Sequence, residues 1–440
     1  MRSAIKFIAV VLTAALFLSG CDMYTPDQMY HPPKRSEEHN NLQREIDRMM
    51  SGLSYHAPVA GENQQTVQMA DLDGDGTDEF LVFAKGDAEK PLKILIFSQD
   101  DGTYGHIDTI ACNGASFDQV EYVQMDDEPG VEIVVGARLS DQLVRSASVY
   151  KLIDQQIKQI VTTNYTKFLT TDLDADGFGE LFVLRPGITE SDNGVAELYA
   201  IKNGSIERSN EVDMSESADK LKRLITGKLH GGQTAVYAAS TVDDKAIITD
   251  VFAVKNDKLA NISFSSESGT SVQTMRNYYI YADDIDNDGI VELPDLIEMM
   301  ASVGNQTADK HDLLRWYAMK PDGTEVTKMY TYHNFIGGWY MHLDDDWASR
   351  LMVRNYANKY EFYLWGSDFE SSEIVFTIYI LTGQTREEDA ISNSRFVIKR
   401  TESVIFSGKL EEAAHNYDLT EAVITRNFHM IQHDWKTGET

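Results

Sequence analysis

Asp71-Leu72-Asp73-Gly74-Asp75-Gly76-Thr77-Asp78-Glu79 decides the reading of this chain, because it returns twice in the same frame. The second copy is Asp172-Leu173-Asp174-Ala175-Asp176-Gly177-Phe178-Gly179-Glu180, and the third is Asp284-Ile285-Asp286-Asn287-Asp288-Gly289-Ile290-Val291-Glu292. Aspartates at positions one, three and five of a tight loop converge, since alternate residues face the same way. Glycine at position six permits the sharp turn, and the carbonyl at position seven supplies a further oxygen. Carboxylates brought this close repel one another unless a cation neutralises them. Hard oxygen donors in a flexible loop select calcium over magnesium or zinc.

Each copy sits between short strand-like stretches, 66–70 and 80–83 around the first, 167–171 and 181–184 around the second, 278–282 and 293–297 around the third. Two weaker copies lie between them. Residues 123–135 keep the frame as Asp126-Asp127-Glu128-Pro129-Gly130-Val131-Glu132, and 224–237 keep only the turn and the strands. Aligned on the last template position, the copies fall at 79, 132, 180, 235 and 292. A period near fifty, with several short strands per copy, is the pattern of propeller blades, each of which buries little alone and must stack. The expected fold is mainly β: a β-propeller of about five detectable repeats over 64–330, followed by a C-terminal α+β domain over 331–440.

An EF-hand needs a bidentate Glu at position twelve and flanking helices. Position twelve here is Val82, Val183 and Asp295, position nine is Glu79, Glu180 and Glu292, and the flanks are strands. The loops resemble instead those of FG-GAP/VCBS-type propellers, as in integrin α-subunit heads and many bacterial surface proteins. That resemblance implies calcium ligation by Asp71, Asp73, Asp75 and Glu79, by Asp172, Asp174, Asp176 and Glu180, and by Asp284, Asp286, Asp288 and Glu292. It also implies backbone carbonyl ligands at Thr77, Phe178 and Ile290. In the third loop Asp295 is an alternative to Glu292. Nothing carries over to the two weak copies.

The amino terminus is an address. Arg2 and Lys6 precede an apolar run over 7–18 that is too short for a spanning helix, and the run ends in Leu18-Ser19-Gly20-Cys21. This resembles a bacterial lipoprotein signal peptide, which implies removal of residues 1–20 and diacylglycerol on the Cys21 sulfur. Residues 21–35, with Pro26, Pro32 and Pro33, read as a tether. Residues 36–50 read as an amphipathic helix, with Leu42, Ile46 and Met49 on one face, within a lead-in over 36–63. That helix either packs on the following domain or stands as a solvated stalk. The whole chain is similar to VCBS repeat-containing lipoproteins of gut Firmicutes-like bacteria, a likeness that implies no activity.

With 39 Lys+Arg against 70 Asp+Glu over 440 residues, the formal charge of -31 repels phosphate backbones and excludes nucleic acid as a partner. With Cys21 lipidated, Cys112 has no partner for a disulfide. After 330 the composition changes, and Trp339, Trp347, Trp365 and Trp435 fall there. Strands are expected over 350–353, 361–365, 374–381, 394–399 and 403–407. A helix is expected from Asp418 or Thr420, with Ile424, Phe428, Ile431 and Trp435 as its buried stripe. His429 and His433 are four apart on it, but lack the Glu of a metalloprotease motif and read as solvent-facing. Trp339-Tyr340 and Trp347 read as core packing, with sugar stacking as the other possibility. No nucleophile elbow, P-loop or dinucleotide fingerprint occurs. The expected role is a cell-surface, lipid-anchored, calcium-binding propeller that acts as a binding or scaffolding protein toward a protein or glycan, held at the outer face of the cell membrane. The alternative is an extracellular glycan-active enzyme or its accessory subunit.

Overall fold

The computed structural model describes residues 37–139, 145–187, 192–202, 204–277, 280–299, 313–366 and 371–432. Cys21, His433 and Trp435 lie outside the described residues. Within them the chain is mainly β and runs as successive antiparallel meanders. Sheet 1 comes from residues 54–112, sheet 2 from 116–165, sheet 3 from 167–213 and sheet 4 from 221–261. Sheet 5 comes from 292–343 and sheet 6 from 351–410. Each sheet has four or five strands.

The central strands are apolar on both faces, and that is why the sheets stack. In sheet 2, Ile133 and Val135 pack with Leu81 and Phe83 of sheet 1, whereas Val134 packs with Leu181 and Val183 of sheet 3. Phe182 and Leu184 turn the other way, onto Val236 and Ala238 of sheet 4. Tyr237 and Ala235 then meet Leu293 and Tyr317 of sheet 5. Leu313, Tyr332 and Trp339 continue the stack onto Val353, Phe362 and Val375 of sheet 6. Alternation along a strand thus serves two neighbours at once.

The two ends of the stack differ. The outer face of sheet 1 is covered by helix Glu37–Met49, whose Leu42 and Ile46 are buried against Val82, Leu95 and Phe97. The helix is therefore packed rather than a solvated stalk, and each of those two side chains contributes about 1.5–3 kcal/mol by burial. In sheet 6, strand Lys359–Leu364 alternates buried Tyr360, Phe362 and Leu364 with less buried Lys359, Glu361 and Tyr363. Among the described residues no apolar cluster joins sheet 6 to sheet 1.

The expected boundary at 330 falls inside strand Glu325–Asn334, so sheet 5 continues to Leu343. The five strands expected in the tail all form, as Leu351–Tyr356, Lys359–Leu364, Glu373–Leu381, Phe396–Arg400 and Ile405–Leu410. They build a sixth stacked sheet that shares one core with sheet 5, not a separate α+β domain. Sheet 6 escaped the repeat count because its first hairpin turns through Ala357-Asn358, with Ala357 at a φ of 57°, instead of through an acidic loop. The expected C-terminal helix is also shorter. It spans Glu421–Asn427, with the Thr420 hydroxyl accepting from Val423 N, and Phe428–Met430 then joins strand Trp339–Leu343 as a fifth strand of sheet 5. Free Cys112 is buried.

Candidate metal centre

The acidic turns all lie at the same position, immediately before the strand that their glutamate opens, and that glutamate stands opposite the residue preceding the turn. Ala70 pairs with Glu79, Val123 with Glu132, Thr171 with Glu180 and Asp283 with Glu292. The turn at 124–132 is bonded to those at 71–79 and 172–180, and the turn at 284–292 to the one that begins at Lys228. Val131 N donates to Asp71 O at 3.1 Å, Gly179 N to Gln124 O at 2.9 Å and Val291 N to Lys228 O at 3.0 Å. The turns therefore sit side by side along one end of the stack.

Within each turn the geometry follows from the residue types. Gly76, Gly177 and Gly289 have φ of 86°, 96° and 84°, the left-handed region that position six requires. The position-one aspartate folds over the loop, Asp71 accepting from Gly74 N and Gly76 N, Asp172 from Gly177 N and Asp284 from Gly289 N. Position two is apolar and buried in every copy, as Leu72, Met125, Leu173 and Ile285, so its amide needs an acceptor away from water. The position-nine glutamate provides it. Oε2 of Glu79, Glu132 and Glu180 accepts from that amide at 2.8 Å, and Oε2 of Glu292 at 3.2 Å.

That leaves Oε1 of each glutamate, and here the turns part company. Glu79 Oε1 accepts from the Ser98 hydroxyl at 2.9 Å. Glu292 is fully buried and its Oε1 has no hydrogen-bond partner; Asp172 Oδ1 is likewise buried and unpartnered. Burial and the Asp286 charge push the Glu292 carboxyl up to about 8. Burial pushes Glu180 up to about 7, with Asp174 and Asp176 adding to it.

Three groups of side chains could hold a metal ion: Asp172, Asp174, Asp176 and Glu180; Asp71, Asp73 and Glu79; Asp284, Asp286 and Glu292. In each group the ligand atoms lie within 4.8 Å of one another. Asp75 and Asp288 stand outside these sets. Each accepts from the backbone N–H two residues on, at Thr77 and Ile290, as Asp176 does from Phe178. Asp288 also pairs with Lys328, whose ammonium is 4.0 Å from Asp286. Asp295, the alternative ligand in this loop, pairs instead with Arg315 at 2.9 Å.

The cations were not legible in the motif. With the turns numbered along the chain as 71–79, 124–132, 172–180, 228–233 and 284–292, the Lys151 ammonium bridges Asp126, Glu128 and Glu132 in the second, with 3.1 Å to each of the two glutamates. A sequence signal for it does exist, since Ser98 and Lys151 each follow their glutamate by nineteen residues. In the fourth turn Ala235 replaces the glutamate, and Leu229 N bonds instead to Gln233 O at 2.8 Å.

Elsewhere, a cleft of about 550 Å³ opens between the first strands of sheets 2, 3 and 4. Glu62, Asn63, Glu121, Tyr122, Thr170 and Thr226 contribute its polar lining. Glu121 is fixed there by Thr170, whose amide and hydroxyl donate to it at 3.0 and 2.6 Å. His429 lies on a strand rather than a helix, so its spacing to His433 loses its meaning. It stacks on Tyr340 at 5.0 Å and meets His342 at 4.6 Å between ring centroids. Trp339, Tyr340 and Trp347 are buried, as core packing requires.

No family model matches the chain, and no curated protein matches it. Among solved structures it is similar to a rhamnogalacturonan lyase, YesW, at 14% identity and a TM-score of 0.32, over 71% of this chain and 57% of that one. The chain thus spans little more than half of that enzyme. A Bacillus licheniformis rhamnogalacturonan lyase matches at 13% identity and 0.29, over 72% and 73% of the two chains. Chaetomium thermophilum Sqt1 matches at 8% identity and 0.31, over 81% and 98%. Likenesses at this level carry no activity over to this chain.

Proposed function

We propose that this is an exported calcium-binding protein whose stacked sheets act as the blades of a propeller-like scaffold. In that arrangement helix Glu37–Met49, rather than another sheet, covers the free face of the first blade. The reading is carried by one observation: three turns at the same end of the stack each gather carboxylate oxygens within 4.8 Å, and the most buried of these carboxylates, Glu292, has an oxygen with no partner. A buried ionised oxygen without a partner is costly, and a divalent cation supplies that partner. All-oxygen donors with Asx-turn geometry suit calcium at the weak affinities of extracellular sites. Cys21 carries the lipid that tethers the protein to the outer face of the membrane, and the role is binding or scaffolding, with the cleft beside Glu121 as the place for a ligand. Such a volume lies within the ordinary range for small-molecule sites.

Native mass spectrometry on the full chain should count three calcium ions. Each should be lost when the aspartates of its own turn are changed to Asn. No bound ion at millimolar calcium would overturn the assignment. Palmitate labelling that survives Cys21→Ala would overturn the tether.

A further inference from the structure

The second turn has the frame of the metal-binding turns but a different cation. Counting from Glu132 as position nine, Asp126 stands at three and Glu128 at five, and only position one, Gln124, is not acidic. Glu132 Oε2 holds the Met125 amide just as its equivalents hold theirs. The space beside Oε1 is filled from the neighbouring strand, and the pairing shows why. Phe80 pairs with Phe97, Ile133 with Tyr150 and Leu181 with Tyr199, so the next rung sets Glu79 opposite Ser98, Glu132 opposite Lys151 and Glu180 opposite Ala200. Glu292 pairs directly with Ala318. Three of these facing residues are short and leave room for an ion; the fourth is a lysine.

That lysine is built in. Its side chain is 11% exposed, against 8% for Asp126 and 2% for Glu132, and it meets all three carboxylates of the turn. An ammonium has three donors and no acceptor, so three carboxylates arranged for a cation satisfy it fully. The turn it closes is also wedged between its neighbours. Gly130, at a φ of 96°, lies so close to the first turn that a Cβ there would stand 2.3 Å from Leu72 O, and Gln124 O accepts from Gly179 N of the third.

We propose that Lys151 is a covalent counter-ion standing where the other turns take a metal ion. The second turn is then a metal-independent strut between the first and third, and Asp126, Glu128 and Glu132 become a divalent-cation site once the ammonium is removed. The inference rests on the calcium reading of the other three turns.

The experiment compares the full wild-type chain with Lys151→Ser, which places at 151 the residue found at 98. Calcium binding is counted by native mass spectrometry and melting is followed in EDTA and in calcium. Lys151→Ser should bind one ion more than wild type, melt earlier in EDTA, and regain more of its melting temperature with calcium than wild type does. The triple variant Lys151→Met/Asp126→Asn/Glu132→Gln removes cation and anions together. It should bind the wild-type number of ions and show the wild-type response to EDTA. An unchanged ion count in folded Lys151→Ser, or a Lys151→Ser chain that calcium at millimolar concentration does not restore, would overturn the proposal. A wild-type count of zero would instead strike the calcium reading of the other turns, and the difference between the two chains would still decide the role of Lys151.

Discussion

Glu132 and Glu292 occupy one template position in two sheets, and both are buried to within 2%. Each spends one oxygen on the amide two residues into its turn. The other oxygen of Glu132 meets Lys151 at 3.1 Å, whereas that of Glu292 meets nothing in the protein. Burial raises both carboxyls, and the position-two amide opposes it in each. For Glu132 the hydrogen-bonded Lys151 ammonium opposes it further, whereas for Glu292 the Asp286 charge adds to burial and Lys328 opposes it only through its charge, without a hydrogen bond. Burial likewise works against the charge on Lys151, and its hydrogen bonds to Asp126, Glu132 and Glu128 overcome that and hold its pKa above the usual value. One fold treats the same buried carboxylate in two ways: at Glu132 a cation attached to the chain meets it, and at Glu292 it belongs to a group that could hold a metal ion. On the proposed reading the first cation is always present and the second depends on the medium.

The largest expected effect tests the medium-dependent half. A ligand at about a hundred times its dissociation constant adds roughly 2.7 kcal/mol per site. EDTA should therefore lower the melting temperature of the full chain by several degrees, and hydrogen exchange should quicken at turns 71–79, 172–180 and 284–292 but not at 124–132. Equal quickening of all four turns, or of none, would break the comparison.

A middle-sized effect comes from a matched pair. Glu132→Gln and Glu292→Gln each keep an oxygen for the position-two amide. Glu132→Gln weakens a buried ion pair and should destabilise by about 1–3 kcal/mol with or without calcium. Glu292→Gln replaces a buried carboxyl that is pushed up to about 8 and whose second oxygen has no hydrogen-bond partner, so in EDTA it should leave melting unchanged or raise it. In calcium it should lower melting. The same sign for both variants in EDTA, by thermal or urea unfolding, would show that the two turns are not alternatives.

The smallest effect lies away from the turns, where sheet 5 recruits Phe428–Met430. Burial, with His429 beside it, pushes His342 down to about 4, and burial lowers His429 as well. Between the ordinary histidine value near 6.5 and about 4, the unfolded chain takes up protons that the folded chain refuses. Stability therefore falls as pH drops through that window and is fully present above it. The pH profiles of wild type and His342→Gln, measured in EDTA, should diverge there, with the variant the less pH-sensitive. Parallel profiles would remove the histidine contact from the account. Because neither Lys151 nor a metal ion is involved, this slope should be the same in Lys151→Ser.

Much of this was legible in the residues themselves. Asp at positions one, three and five with Gly at six dictates a tight acidic loop, because its hydrogen bonds and its left-handed glycine are satisfied within nine residues. Leu42 and Ile46 four apart announce a helix with one apolar face. The strands of the tail were legible for the same reason, since alternation and apolar runs are local properties. What the sequence left open depended on partners far along the chain. Ile424, Phe428 and Ile431 fit a helical stripe, yet the helix stops at Asn427 because the edge strand Trp339–Leu343 offers unpaired amides and carbonyls that 428–430 can bond. Sheet 6 joined the common core because Tyr332 and Trp339 needed an apolar face to cover them. Which carboxylates carry their own cation was decided by strand register: Lys151 lies beside Asp126 and Glu132 only once residues 145–153 pair with 132–138. A charge's neighbour across a sheet is fixed by tertiary pairing, and that pairing separates the turn closed by Lys151 from those whose gathered carboxylates could hold a metal ion.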